Sequence, residues 1–396
     1  MKDTTQTTLP VPLGLIPGPV HDRLQALSRA GGWMDWAGYL SPSVLDTAEF
    51  EYFAIRNQAT LFDVSPMHKY RIRGPQALAM INRVVTRDVA RIADNRVGYV
   101  LWCDEEGMVI DDGTLFRFSD TDFRLCCQEP MYSWLCDAAW GFDVEIEDQS
   151  HSLAGLSLQG PTSFSLLKDA GFDLADLRPF DLREVAPGLT VSRTGFTGDL
   201  GYELWTDWDR AGALWDRLWE AGQTWGIRAT GYEALEIARI EAGFMAAGRD
   251  FQPVHAATRL HRGRTPLELG FGRLVHWDKG HFNGRRALLA QRGKKQRFTL
   301  VRLDIGGFKP AQDALIYAGR REVGHVTSGV WSPTAKRNIA LAELRAPWGQ
   351  TRTKGLKAEI YVNEEGRWER RLVPVTIETK PFFAPPRARA TPPGAF

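Results

Sequence analysis

The chain alternates between two hydrophobic rhythms. Residues 45–57 (LDTAEFEYFAIRN) have helical spacing, with Leu45, Phe50, Phe53 and Ala54 on or near one predicted face. "HKYRIRG" alternates with a period of two, putting Tyr70 and Ile72 on one side of a strand that ends at Gly74. "GPQALAMINRVV" predicts a short helix opened by Pro75. Residues 98–127 read as a meander: "GYVLWCD", "MVIDDGTLFRF" and "FRLCC" are strands, and "EEG" and "SDTD" are turns. A helix over 130–140 follows, then strands at "FDVEIED" and "LAGLSLQG" and a helix stopped by Gly171. "LTVSRTGFTGDLGYELWT" reads as strand, Gly-rich loop, strand. "DRAGALWDRLWEAGQTWG" is an amphipathic helix carrying Leu214, Leu218 and Trp225. "GYEALEIARIEAG" is a helix closed by Gly243.

From about residue 297 the pattern changes to six short strands separated by turns: "RFTLVRLDI", "ALIYAG", "REVGHVTSGVWS", "NIALAELR", "GLKAEIYV" and "RLVPVTIET". That spacing predicts a small antiparallel barrel or sandwich. Residues 1–30 carry prolines and few paired apolar positions, and read as a partly ordered arm.

Composition narrows the function classes. The 396 residues are 43% hydrophobic and 24% charged, as in an ordinary globular protein, and the length suits two or three domains. With 49 basic and 48 acidic residues the net charge is +1, so neither nucleic acid nor an anionic membrane is an expected partner. The basic run Arg285, Arg286, Arg292, Lys294, Lys295 and Arg297 reads as a solvated linker. Cys103, Cys126, Cys127 and Cys136 form no CxxC pair and read as core cysteines of a cytosolic protein. No Cys/His spacing suits a metal, so none is expected. The N-terminus lacks the basic and apolar segments of a secretory signal, and no long apolar run suggests a membrane span. The expected location is cytoplasmic, by elimination.

Several residues carry candidate chemistry. Asp111 and Asp112 are adjacent on a strand, so one of them should face inward, where a carboxylate is costly unless it has a task. Glu203 begins the strand after the loop "TGFTGDLGYELW", whose glycines 195, 198 and 201 would let a ligand approach the backbone. A carboxylate there can accept paired N–H bonds from a flat heterocycle. Arg239 and Glu241 of "RIEAG" read as a surface pair or a helix-terminus interaction. His255 and His261 lie in a polar stretch, DFQPVHAATRLHRGR, that could be a loop over a substrate. Most of the fourteen tryptophans are expected in the core, with a few available to line a pocket for a flat cofactor.

Taken in order, "LFDVSPMHKYRIRGPQAL", "GYVLWCDEEGMVIDD", "LSLQGPTS", "TGFTGDLGYELW", "RIEAG", "TPLELGFG", "FNGRRAL" and "VTSGVWSPTAKRNIALAEL" resemble the aminomethyltransferase (T-protein) family of the glycine cleavage system, over about residues 45–385. The resemblance implies an α+β, three-domain, cloverleaf-like T-protein fold around a central folate channel, with a C-terminal antiparallel β-barrel. The expected division is an arm over 1–44, a folate-binding catalytic region of two intertwined α+β domains over 45–296, and a barrel and tail over 297–396. It implies tetrahydrofolate as cofactor, Asp112 as the catalytic aspartate with Asp111 beside it, Glu203 as the pterin-binding glutamate, and Met67 and Tyr99 lining the channel.

Departures from the T-protein pattern cluster around this pocket. Pro66 replaces a histidine, and His68 stands two places on. Leu235 and Glu236 replace an Arg–Asp pair whose arginine helps hold folate. Arg273 replaces a tryptophan, and Gln128 replaces an asparagine among the folate-side residues. The expected activity is therefore a tetrahydrofolate-dependent methyltransferase acting as a demethylase on a small O-, N- or S-methylated substrate, possibly a carboxylate. His68 and Arg273, with His255 or His261, would make the substrate contacts. The alternatives are a glycine-cleavage aminomethyltransferase, which would need a lipoyl carrier protein, and a non-catalytic folate-binding scaffold.

Overall fold

A computed structural model describes residues 14–394. Two large sheets build the central part. The six-stranded sheet runs in the order 182–186, 189–192, 201–207, 153–159, 60–63, 228–229. Its pairs are antiparallel except the last, where Arg228 and Ala229 run parallel to Thr60 and Leu61. The five-stranded sheet runs 96–103, 109–119, 122–127, 68–73, 145–148, and contains the expected meander.

The central strands of each sheet are buried on both faces, which decides what they can carry. All seven residues of Leu153–Gln159 are buried. One face of the six-stranded sheet packs Leu156, Tyr202 and Leu204 against Leu166, Leu214 and Leu218 of two helices. One face of the five-stranded sheet packs Tyr70, Ile72, Trp102 and Leu125 against Met80, Ile81 and Val84 of the helix Ala77–Val84. The remaining faces meet each other through Phe62, Val64, Phe116, Cys126 and Trp205, with Met67, Trp36 and Leu235 against them.

The six C-terminal strands close into an antiparallel barrel around Leu303, Ile316, Val326, Ala342 and Ala358. After it the chain returns to the sheets, where Arg387 pairs with Asp199 at 2.7 Å. The fold is thus α+β, with mixed sheets and a closed barrel.

Three expectations change. The first 13 residues of the expected arm over 1–44 lie outside the described residues. From Ile16 the segment is folded, with strands Ile16–Pro17, Gly32–Trp36 and Tyr39–Val44 in one small sheet and Val20 and Leu24 in the first core. The helix Ala48–Asn57, capped by Thr47 whose Oγ accepts from Phe50 N, buries Tyr52, Ala54 and Ile55. Phe50 and Phe53 face outward, because the buried stripe lies one position away from the one the aromatics suggested. The basic run is no simple linker: Arg285–Gln291 is a helix, and Arg297 pairs with Glu268 at 3.0 Å.

Candidate active site between the two sheets

Asp112 lies on the strand Val109–Ser119 on the same face as Thr114 and Phe116, so its carboxylate looks into the space between the sheets. Tyr99, on the neighbouring strand, donates its hydroxyl to Asp112 Oδ2 at 2.7 Å. The Tyr99 ring rests against Phe271, centroids 5.5 Å apart. Burial pushes the Asp112 carboxyl up to about 6, while the Tyr99 hydroxyl pulls it down. Burial and the adjacent carboxylate push the Tyr99 phenol well above its ordinary value, so it remains a donor.

Asp111 points the other way and is fully buried. Its two oxygens accept the backbone N–H of Asp112 at 2.8 Å and of Glu129 at 2.9 Å. With both oxygens occupied by backbone, Asp111 fixes the strand to the turn at 128–131 and does not present a carboxylate to the intersheet space. Asp111, expected beside Asp112 in the catalytic pair, is thus engaged by backbone through both oxygens.

Glu203 approaches from the opposite wall. On strand Gly201–Asp207, Tyr202 and Leu204 face the helices, while Glu203 and Trp205 face the five-stranded sheet. Thr194 Oγ1 donates to Glu203 Oε2 at 2.6 Å, which leaves Oε1 as an acceptor. Burial raises the Glu203 carboxyl and the Thr194 hydroxyl opposes it. The loop glycines do not open the backbone to a ligand, as their sequence suggested. A Cβ on Gly195 or Gly201 would stand 2.0 or 2.1 Å from Gln159 Oε1, and one on Gly198 would stand 2.5 Å from Ala242 Cβ. Gly195 and Gly201 make room for Gln159, whose amide holds the loop through Thr194 O and Thr197 Oγ1.

The turn between Thr60–Asp63 and His68–Arg73 brings Met67 to the intersheet cluster. Asp63 Oδ1 accepts from Ser65 N at 2.9 Å, and Lys69 Nζ donates to Ser65 O at 2.5 Å. Lys69 is fully buried, and burial lowers its ammonium to about 8. The strand's alternation does not announce this burial, since nothing in the strand itself says that the second face is also covered. His68 stacks on Tyr70 with centroids 6.4 Å apart and planes 1° apart, and burial lowers its imidazole below the ordinary value. Gln128 Oε1 accepts from Trp36 Nε1 at 3.0 Å, which joins the N-terminal sheet to the site. Trp36 and Thr194 are site residues that the sequence did not single out, because their parts depend on contacts distant in the chain.

Other expected residues lie elsewhere. His255 and His261 are exposed on short turns, and among the described residues neither makes a side-chain hydrogen bond or ring contact with Asp112 or Glu203. Arg273 is exposed on the turn Gly272–Leu274, at the seam with the barrel. Arg239 and Glu241 are not a surface pair: both are fully buried. Arg239 binds Glu236, Asp250 and Ser328, and Glu241 binds Arg56, Tyr52 and Ser332. These networks bolt the helix Tyr232–Ala242 to the barrel. Cys136 is exposed, unlike the other three cysteines. Among the described residues, no group of three His, Cys, Asp or Glu side chains could hold a metal ion, and no helix is long and apolar enough to cross a membrane.

The intersheet space thus has a carboxylate on each wall, each held by one hydroxyl, over an apolar floor of Met67, Trp36, Leu235 and Phe116. Such a slot suits a flat heterocycle with N–H donors at one edge and an ionisable nitrogen further along.

Comparison with known proteins agrees along almost the whole chain. The family described as "GCVT N-terminal domain" matches residues 20–279, and the "Glycine cleavage T-protein C-terminal barrel domain" matches residues 296–383. The chain is 33% identical over 345 residues to an aminomethyltransferase of Caldanaerobacter subterraneus subsp. tengcongensis, covering 83% of this chain and 90% of that one. It is 33% identical over 365 residues to an aminomethyltransferase of Moorella thermoacetica, covering 89% and 94%. The crystal structure of the glycine cleavage system aminomethyltransferase T from Bartonella henselae superposes with a TM-score of 0.82 at 23% identity, covering 93% and 98%.

Proposed function

The chain belongs to the glycine cleavage T-protein (aminomethyltransferase) family, and from that premise we propose that its one-carbon transfer to tetrahydrofolate is of the aminomethyl type. Tetrahydrofolate-dependent one-carbon transfer and the folate cofactor itself follow from membership. The relatives' name favours aminomethyl transfer over the demethylation that the pocket departures led us to expect.

The observation that carries this reading is the facing pair: Asp112 held by Tyr99 on one wall, Glu203 held by Thr194 on the other. Tetrahydrofolate, when bound, supplies the nitrogen nucleophile that accepts the carbon unit. The half-buried carboxylates fit it, because among the described residues neither has a cationic partner and each can take N–H donors. Glu203 Oε1 is free to accept from a ring-edge N–H group. Asp112 then holds or returns a proton at Oδ1, with Oδ2 anchored by Tyr99, and steadies positive charge on an amine in front of it. Burial makes that interaction stronger than it would be in water.

Methyl transfer remains the second reading, supported by Leu235. It packs as an apolar side chain on the intersheet cluster at the place of the folate-holding arginine of the T-proteins it resembles. The two are separated by one assay. The protein is incubated with tetrahydrofolate and either an aminomethyl-loaded lipoyl carrier protein or a panel of O-, N- and S-methyl compounds. Mass spectrometry then distinguishes methylene- from methyl-tetrahydrofolate. Methylene product from the carrier is expected. Methyl product from the panel alone would favour the second reading, and no tetrahydrofolate binding would remove both.

A further inference from the structure

We propose that Arg302 and Arg273, at the seam between the barrel and the sheets, form a receiving site for a ligand carboxylate. On the barrel strand Phe298–Ile305, Val301, Leu303 and Ile305 point into the barrel, so Leu300 and Arg302 point out toward the sheets. The Arg302 guanidinium lies over Gly243, where a Cβ would stand 2.1 Å from Nε. Nε is buried and has no hydrogen-bond partner. Among the described residues, neither Arg302 nor Arg273 makes an ion pair or a side-chain hydrogen bond, and Arg273 stands near enough for its charge to act on Arg302. Burial, and then the charge of Arg273, hold the Arg302 guanidinium below its usual range.

A structural duty does not account for Arg302. Its place at the end of the helix Tyr232–Ala242 suggests a cation answering the helix dipole. The carbonyls there are already served: Gly243 N donates to Ile240 O at 3.0 Å and Phe244 N to Arg239 O at 2.9 Å. Glu378 stands opposite Arg302 in the barrel ladder but turns to Arg337 at 3.8 Å. Two guanidinium groups brought together without a carboxylate are unfavourable, and an incoming carboxylate would relieve both the repulsion and the orphaned donor.

The surroundings add an apolar body to that anion. Phe244 follows Gly243 and stacks on Phe196 of the loop leading to Glu203, with centroids 5.6 Å and planes 23° apart. Both rings are more than a third exposed, at 37% and 38%. A flat or apolar group on this shelf would carry its carboxylate to the arginines. The ligand's identity rests on the one-carbon reading, which offers two sources: the glutamyl end of the folate, or a carboxylated donor.

The test uses full-length protein, with Arg302→Met, Arg273→Met and the conservative Arg302→Lys checked for folding by thermal melting. Calorimetry compares 5-formyltetrahydrofolate with 5-formyltetrahydropteroate, which lacks the glutamate. If the carboxylate is the folate's, each Met variant weakens the folate about ten- to a hundredfold and leaves the pteroate unchanged, with Lys intermediate. If it is the donor's, folate affinity holds and KM rises by a similar factor for a carboxylated donor but not for its methyl ester. Unchanged values in both arms would overturn the site. Should wild-type protein bind neither pteridine, the folate reading fails separately. The arginines are then judged on 4-methoxybenzoate, where equal behaviour of wild type and variants overturns them.

Discussion

The phenol of Tyr99 and the carboxylate of Asp112 are joined at 2.7 Å across two neighbouring strands, and the hydroxyl is the only side-chain donor to Asp112 among the described residues. Burial raises the proton affinity of this carboxylate, and the bond orients it and opposes that rise. Tyr99→Phe removes the bond with little change of shape. Losing a hydrogen bond to a charged group costs roughly 1.5–3 kcal/mol where the charge matters. The expected result is a kcat about tenfold or more lower, with the acid limb of the pH profile displaced to higher pH. An unchanged limb would show that Asp112 does not govern it.

In the wild-type enzyme, turnover should rise as pH increases through about 6, where Asp112 loses its proton. Asp112→Asn should lower kcat by about 10²–10⁴-fold and flatten that limb, with folate affinity nearly preserved. Pre-steady-state measurements across pH 5–8, together with folate titration, separate the two effects.

Glu203→Ala should weaken folate about ten- to a hundredfold, since it removes the free acceptor of the second wall. Thr194→Val leaves the carboxylate but frees its orientation, so a smaller loss is expected in the same titration. Equal affinities in all three proteins would take Glu203 out of the site.

The barrel was legible because its strands are short, alternating and punctuated by turns, and only one face of each has to meet a core. The central sheets were harder. Alternation correctly set Tyr70 and Ile72 on one face, but carried no sign that the opposite face, with Lys69, is also covered. The same ambiguity touched the aspartates: period two puts Asp111 and Asp112 on opposite faces, but both faces are interior. What separates them is the backbone of Glu129, eighteen residues away, which occupies Asp111. Arg239 and Glu241 hid for a similar reason. Their partners Asp250, Ser328, Arg56 and Ser332 come from other elements, and no local pattern announces a buried charge network.

That buried network has a measurable consequence. Arg239 holds Glu236 and Asp250 together with no exposed surface of its own. Arg239→Met would leave Asp250 buried without its cation, at a cost of about 3–5 kcal/mol. Thermal or urea unfolding should show a large loss, and the barrel seam should open first in hydrogen exchange. A variant as stable as wild type would mean that Asp250 is satisfied by Thr327 and Ser328 alone.

The last prediction sets Asp111 against Asp112 in stability as well as activity. Asp111 accepts two backbone N–H groups inside the protein. Asp111→Asn turns one acceptor into a donor facing an N–H, and should destabilise by about 1–3 kcal/mol, with kcat falling only as the strand shifts. Burial and the adjacent Asp112 raise the Asp111 carboxyl too, and its two N–H bonds oppose that rise; Asp112 is held by one hydroxyl instead. Its carboxyl holds a proton to higher pH when folded than when unfolded, where the ordinary value is about 4. The folded protein therefore binds more protons between about pH 4 and 6. Stability is greatest below the unfolded value and declines as pH rises through about 6. Asp112→Asn removes the ionising group, so it should gain stability over wild type at pH 7–8, on the order of 2 kcal/mol, and gain little at pH 4. Urea denaturation of wild type and both variants at pH 4.5 and 7.5 reads this directly. A stabilised, inactive Asp112→Asn beside a destabilised, partly active Asp111→Asn is expected. The reverse pattern would exchange the two roles and place Asp111 on the intersheet wall.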